Sequence, residues 1–208
     1  MNIYLIRHGR QSSALCNVNV ELADEGRRQA DLLGRRLVKY HIDGLYSSNL
    51  IRAVETAEIV NEHLNLQHII RKDLREISFG EMEGNSDDFI NEHFSEFITE
   101  QMKLIKDIPY PGGECGGDVL KRAMLTIDEI VRCGKKNIAV VTHGGVIRAL
   151  LAGILGLDMS KKLLFAVSLE NTSITQLVYD EGYQRFYLQR FNDYSHLENE
   201  PNLLRRNW

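Results

Sequence analysis

Two histidines in this chain stand where a short apolar run gives way to glycine. Ile3 to Ile6 leads into Arg7-His8-Gly9, and Asn137 to Thr142 leads into His143-Gly144-Gly145. The chain has seven histidines, and only these two have that setting. A neutral imidazole can act as nucleophile or proton carrier near physiological pH. Arg7 lies beside the first of them, and a guanidinium offers paired donors matched to phosphate or carboxylate oxygens. Ser47-Ser48-Asn49-Leu50-Ile51-Arg52 repeats the arrangement, with a strand end, a polar turn and an arginine in the first turn of a helix, where the macrodipole also favours an anion. Two histidines and two arginines thus define a candidate anion site.

Such a site exists only if the strand ends meet. In an open parallel sheet, ligands bind beyond the carboxyl ends of the strands, so a sheet of that kind would face both His-Gly turns into one crevice. Gly9 and Gly144 are expected to let the backbone turn sharply and bring its N–H groups near the anion. The rest of the pattern fits. Helical periodicity runs over Asp24 to Tyr40 and Asn49 to Leu64, with a short strand at Asp43 to Ser47 between them. A third helix is predicted from Gly117 to Cys133, stopped by Gly134, and a fourth from Val146 to Leu155. Ser173 to Tyr179 and Tyr183 to Arg190 alternate about Asp180-Glu181-Gly182 like a β-hairpin. This succession predicts an α/β fold of three layers, with a mostly parallel central sheet, helices on both faces and a terminal hairpin. Residues 80–117 interrupt the alternation and read as a small helical insertion over the site. One amphipathic helix there carries Ile90, Phe94, Phe97, Ile98, Met102 and Ile105, and packing against the body is the reading of that stripe.

At 208 residues the chain is expected to form one domain spanning 1–208. Its 25 Lys+Arg against 29 Asp+Glu give a net charge of −4, which argues against a general nucleic-acid partner. With 43% hydrophobic and 26% charged residues it has the composition of a globular protein and not of a disordered or fibrous one. Cys16, Cys115 and Cys133 are odd in number and widely spaced, which fits a reducing cytoplasm better than a disulfide framework or a zinc ribbon. The N-terminal apolar run reaches Arg7 too soon for a signal peptide, and Val146 to Met159 is interrupted by Arg148 and too short to span a bilayer, so no membrane partner is expected. Asn171-Thr172-Ser173 matches a glycosylation sequon, and without secretion the match is chance.

Four segments in order resemble the histidine phosphatase superfamily, which includes the phosphoglycerate mutases. They are Leu5 to Gly9, Tyr46 to Ala57, Leu74 to Gly84 with its Leu-x-Glu-x-x-x-Gly pattern at Glu76, and Val140 to Gly145. Pro111-Gly112-Gly113-Glu114 and Asn171 to Thr175 add lesser matches. The resemblance implies that His8 is the nucleophile and becomes a phosphohistidine, that Arg7, Arg52 and His143 hold the phosphoryl oxygens, and that Glu76 protonates the leaving oxygen and then activates water. Glu81 and Glu83 are rivals for the last role. It implies no metal or other cofactor, and the chain has no Walker A pattern and no Gly-x-Ser-x-Gly elbow.

The chain departs from the family pattern in its first loop. Arg10 stands where Glu or Gln is usual, and the phosphate-loop asparagine, assigned to Asn17, comes at a longer spacing. Ala23 replaces a usual threonine N-cap, with Asp24 as the candidate replacement, and Cys115 replaces a common serine and reads as an inert thiol. Arg7, Arg52, Asn17 and Gly144 are accordingly the candidate substrate-binding residues. The expected function is a metal-independent phosphatase acting on a small phosphorylated metabolite, as monomer or homodimer. The alternative is a cofactor-dependent phosphoglycerate mutase, disfavoured because the insertion is compact and the chain ends at Asn207-Trp208 soon after the hairpin.

Overall fold

A computed structural model describes residues 1–205; Asn207 and Trp208 lie outside the described residues. Six strands form one sheet: β1 (Asn2–Arg7), β2 (Gly44–Ser48), β3 (His68–Arg71), β4 (Asn137–Thr142), β5 (Ile174–Asp180) and β6 (Arg185–Asp193). Their order across the sheet is β3-β2-β4-β1-β5-β6. The pairings from β3 through to β1 are parallel, and β5 and β6 are antiparallel. The mostly parallel α/β sheet expected from the sequence is therefore present, with β3 as an edge strand that the sequence reading lacked.

Side chains of a strand alternate between faces, and the two faces are buried by different helices. Ile3 and Leu5 of β1 and Ile138 and Val140 of β4 join one apolar cluster with α5 (Gly116–Arg132) and α6 (Gly144–Ile154). Tyr4, Ile6, Ala139 and Val141, the intervening residues, join a second cluster with α1 (Asp24–Leu37) and α2 (Ile51–Leu64). The chain thus leaves β1 toward one face and β4 toward the other, although the two strands are neighbours. A crevice opens between such diverging connections at the carboxyl edge of the sheet. Arg7 pairs in register with Thr142, so His8 and His143 follow side by side, and the His8 N–H donates to the Thr142 carbonyl at 2.9 Å.

Helix ends differ from expectation for local reasons. α1 stops at Leu37 and a 3-10 turn covers Val38–Tyr40. α2 starts at Ile51, because Ser48 Oγ accepts the Leu50 N–H and holds Leu50 extended. Asp24 does not take over the missing cap of α1. Its exposed carboxylate pairs with Arg27, and Ala23 is an N-cap without a side-chain bond. The amphipathic helix of residues 90–105 is two short helices, α3 (Asp87–His93) and α4 (Ser95–Met102), broken at Phe94, whose ψ of 20° leaves the helical region. Neither buries a residue fully. The stripe packs only in part: Phe97 meets Tyr110 within the insertion, Tyr110 packs edge-on against Phe79, and Met102 and Ile105 are exposed, contrary to the expected packing.

Candidate active site

His8 is 5% exposed, and its two ring nitrogens have opposite duties. Nδ1 lies 2.7 Å from the Gly9 carbonyl, which only accepts, so Nδ1 carries the hydrogen. Nε2 then has the lone pair, and it accepts from Arg52 Nε at 3.1 Å. Both contacts specify the same tautomer. Burial, followed by the charges of Arg52 and Arg7, holds the His8 pKa well below the usual histidine range, so the ring is neutral at physiological pH.

The arginine of α2 is held by the first loop. Arg52 donates through Nη2 to Asn17 Oδ1 at 2.7 Å and through Nη1 to the Val18 carbonyl at 3.0 Å. Asn17 has φ of 48°, a left-handed conformation that asparagine tolerates better than most residues. Its amide also donates to Glu83 Oε1 at 2.9 Å, so Asn17 is committed to protein partners and bears on the site through Arg52. The longer loop 10–17 thereby gains a function: it brings the asparagine to the guanidinium.

Arg7 donates to the Leu169 carbonyl, while its Nε is buried with no partner among the described residues. Burial above all, then the Arg205 charge, pulls its pKa down to about 9, still charged at neutral pH. His143 is fully buried, with its ring centroid 5.0 Å from that of His8. Its Nε2 lies 2.8 Å from Ser48 Oγ, and its Nδ1 has no partner among the described residues. Ser48 Oγ accepts from Leu50 and has its own hydrogen to give to Nε2. In that tautomer His143 Nδ1, like Arg7 Nε, is a buried donor with no partner among the described residues.

Glu76 accepts the Gly145 N–H at 3.3 Å and the Ile77 N–H at 2.9 Å. A Cβ on Gly145 would fall 2.5 Å from Glu76 Oε1, so glycine there is a matter of room for the carboxylate. The same holds for Gly9. Its φ is not positive, its N–H is taken by Thr56 Oγ1 at 3.0 Å, and a Cβ would meet the Gly26 carbonyl oxygen at 2.6 Å. The expected role of the Gly9 N–H toward an anion is therefore corrected: Gly9 is required by backbone packing against the start of α1. Glu81 and Glu83 are exposed and line neither cavity, and Glu83 Oε1 also receives Phe79 N–H and Ser78 Oγ.

Arg7, His8, Asn17, Arg52 and Glu76 line a cavity of about 600 Å³, whose wall the fully buried His143 does not reach. A second chamber of about 240 Å³ shares Arg7, Glu76, Phe79 and Arg205 with it and adds Gly144, Arg148 and Tyr110. The sequence reading missed Arg148 and Arg205. A lone arginine in the apolar run of α6 is a usable signal, since a buried charge must find partners; Arg148 meets the carbonyls of Phe165, Ala166 and Val167. Arg205 has no such signal. It reaches the site because the chain turns back after β6, so the segment following the hairpin contributes to the wall of both cavities. Asn171 is 1% exposed and its amide donates to the His8 carbonyl at 2.8 Å, which gives the sequon residue a structural duty. Cys115 is partly buried, and burial raises its pKa, as suits an inert thiol. Among the described residues no group of three or more His, Cys, Asp or Glu side chains is placed to hold a metal ion, and no helix is long and apolar enough to cross a membrane.

Comparison with known proteins places the chain in a family. The family model of the histidine phosphatase superfamily (branch 1) matches residues 3–193. A phosphoglycerate mutase-like protein of Arabidopsis thaliana is 33% identical over 94% of this chain and 86% of its own length. A phosphoserine phosphatase of Hydrogenobacter thermophilus is 27% identical over 95% of this chain and 94% of its own. The structure of a mycobacterial glucosyl-3-phosphoglycerate phosphatase with inorganic phosphate superposes with a TM-score of 0.84 at 26% identity, covering 94% of this chain and 98% of that one. The chain belongs to the histidine phosphatase superfamily, and it is an enzyme of the phosphatase type.

Proposed function

We propose that the protein hydrolyses small phosphomonoesters through a phosphohistidine on His8. The observation that carries this reading is the Nε2 lone pair of a buried, neutral His8 facing a cavity it shares with Arg7, Arg52 and Glu76. In the first displacement Nε2 attacks phosphorus, the bond to the leaving oxygen breaks, and Glu76 gives that oxygen its proton. In the second, water attacks phosphorus, gives its proton back to Glu76, and the P–N bond breaks to release inorganic phosphate and neutral His8. Arg7, Arg52 and the Nδ1–H of His143 balance the charge on the equatorial oxygens, which is most of what an enzyme can contribute to phosphoryl transfer. The reaction needs no metal on this reading. Phosphatase-named relatives favour hydrolysis over the mutase alternative, and the wide-spaced, odd-numbered cysteines support a reducing cytoplasm as its place.

The test is a panel of phosphorylated metabolites, including 3-phosphoglycerate with its bisphosphate cofactor, assayed for free phosphate and for isomerised product. Phosphate release that survives EDTA and is inhibited by vanadate, a mimic of the transferring group, is expected. Isomerisation without net phosphate release, or loss on chelation with rescue by Mg²⁺, overturns the reading.

The arginines give a second expected result. Arg7→Ala and Arg52→Ala should each lower kcat/KM about 100-fold, equivalent to about 2.7 kcal/mol of transition-state stabilisation. Asn17→Ala should follow Arg52→Ala in direction with a smaller loss, because it frees one of the three Arg52 contacts. A loss of tenfold or less at Arg52 removes it from the phosphoryl site.

A further inference from the structure

The segment after β6 delivers a cation to the site. Two 3-10 turns, Ser195–Leu197 and Pro201–Leu203, fold it back across α1. Gln29 Nε2 donates to the Leu203 carbonyl at 2.8 Å, and Arg10 Nη2 to the Leu203 and Leu204 carbonyls at 3.1 and 3.3 Å. Arg10, which departs from the family pattern in the first loop, is thus a clamp on this segment. Arg205 comes next. Its Nη1 donates to Ser168 Oγ at 3.1 Å and its Nε to Asn171 Oδ1 at 3.3 Å.

Every side-chain hydrogen bond of Arg7, Arg52, Arg148 and Arg205 goes to a neutral group. Lys162, the other cation of the smaller chamber, is different, since Asp107 neutralises it at 2.6 Å. The cations also crowd one another, the Arg205 charge lowering the pKa of both Arg7 and Arg148; Glu170, which acts on Arg205 and Arg7, and Glu76, which acts on Arg7 and Arg148, offset part of this without forming an ion pair with any of them. Arg7 and Arg52 match the charge of one phosphoryl group. Arg148 and Arg205 remain, and the chamber they line includes neither His8 nor Arg52, so it extends away from the nucleophile while keeping Glu76 on its wall. That is the direction in which a leaving group protonated by Glu76 would lie.

We propose that Arg205, with Arg148, forms a second anion subsite that binds a negatively charged group on the alcohol part of the substrate and so sets its specificity, with Arg10 as the residue that positions Arg205. The inference rests on the phosphatase reading above for which group is the leaving group. Its substrate class is phosphomonoesters bearing a second anion, either a carboxylate or a second phosphate.

3-Phosphoglycerate and glycerol 3-phosphate make a matched pair, with a carboxylate in one replaced by a hydroxymethyl group in the other; 1,3-propanediol bisphosphate supplies the second-phosphate arm. The wild-type enzyme should favour one of the doubly anionic compounds over glycerol 3-phosphate by about 30-fold in kcat/KM, mostly through KM, a discrimination of about 2 kcal/mol. Arg205→Met should reduce that ratio to about threefold, Arg205→Lys should restore part of it, and Arg10→Met should move it the same way as Arg205→Met. The doubly anionic compound that shows the collapse identifies the anion. Calorimetric binding of the same compounds to His8→Ala and to His8→Ala/Arg205→Met gives a readout independent of turnover. Binding discrimination lost with Arg205, together with a wild-type protein that hydrolyses none of these compounds, would sink the phosphatase reading and keep the subsite. Equal losses on all substrates, or an unchanged ratio in both kinetics and binding, overturn the subsite.

Discussion

His8→Ala is expected to lower kcat by about 10⁴-fold or more, a loss of about 5 kcal/mol in transition-state stabilisation, because no other residue among the described ones lining the cavity presents an unprotonated ring nitrogen beside guanidiniums. Rapid quench of the wild-type enzyme with a labelled phosphomonoester should trap an acid-labile, base-stable phosphoprotein, and His8→Ala should trap none. Label on a serine, or unchanged trapping in the variant, would refute the assignment. The ring itself offers a further check. A histidine of ordinary pKa becomes mostly protonated as pH falls through 6.5, whereas a depressed pKa keeps His8 neutral there. Nitrogen-detected NMR at pH 6 should show a neutral imidazole protonated at Nδ1. A doubly protonated ring at that pH would remove the basis for nucleophilic attack without a separate base.

One contact must change before the chemistry starts. Arg52 Nε points its hydrogen at the lone pair that attacks phosphorus in the proposed mechanism. A bound phosphoryl group competes for that hydrogen, and charge-assisted bonds to its oxygens are stronger than a bond to neutral nitrogen. The guanidinium need not travel: Asn17 and Val18 hold its two Nη groups, and an incoming oxygen meets the Nε hydrogen where it already points. The resting contact therefore keeps both partners buried and satisfied until substrate exchanges one hydrogen bond for another.

The parts of this site legible in the sequence are those attached directly to strand ends. Arg7-His8-Gly9, Ser48 through Arg52, and His143-Gly144 declare themselves because an apolar run, a turn and a charged or imidazole side chain are contiguous. The two-face burial of β1 and β4 was likewise readable, as continuous apolar residues demand cover on both sides. β3 was not, since His68–Arg71 is only four residues long and sits at the sheet edge, where burial imposes little pattern. The break at Phe94 was hidden for a related reason: α3 and α4 bury nothing fully, so their periodicity carries little packing constraint. Arg205 illustrates the harder limit. Its position follows from hydrogen bonds that Arg10 and Gln29 make to backbone carbonyls nearly two hundred residues away, and a carbonyl leaves no trace in residue type.

Glu76→Gln should slow phosphohistidine formation from an alkyl phosphate by about 10³-fold while affecting p-nitrophenyl phosphate much less in that step. A proton donor matters in proportion to the basicity of the departing oxygen: an alkoxide is strongly basic, and a nitrophenolate leaves without help. Geometry singles out Glu76 among three glutamates of its loop. It alone borders both cavities, with its carboxylate received by the N–H groups of Ile77 and Gly145. Glu83 is occupied by Asn17, Ser78 and Phe79, and Glu81 is exposed. Single-turnover kinetics are required, because loss of the same residue as the base that activates water would slow dephosphorylation for both substrates and mask the contrast in kcat. Gly145→Ala provides a second route to the same carboxylate, since the added methyl would overlap Oε1 at 2.5 Å and displace it without changing its chemistry. It should reproduce the leaving-group contrast in milder form. If Glu76→Gln is silent with both substrates while Glu81→Gln or Glu83→Gln produces the contrast, the proton comes from a neighbour and the assignment of Glu76 fails.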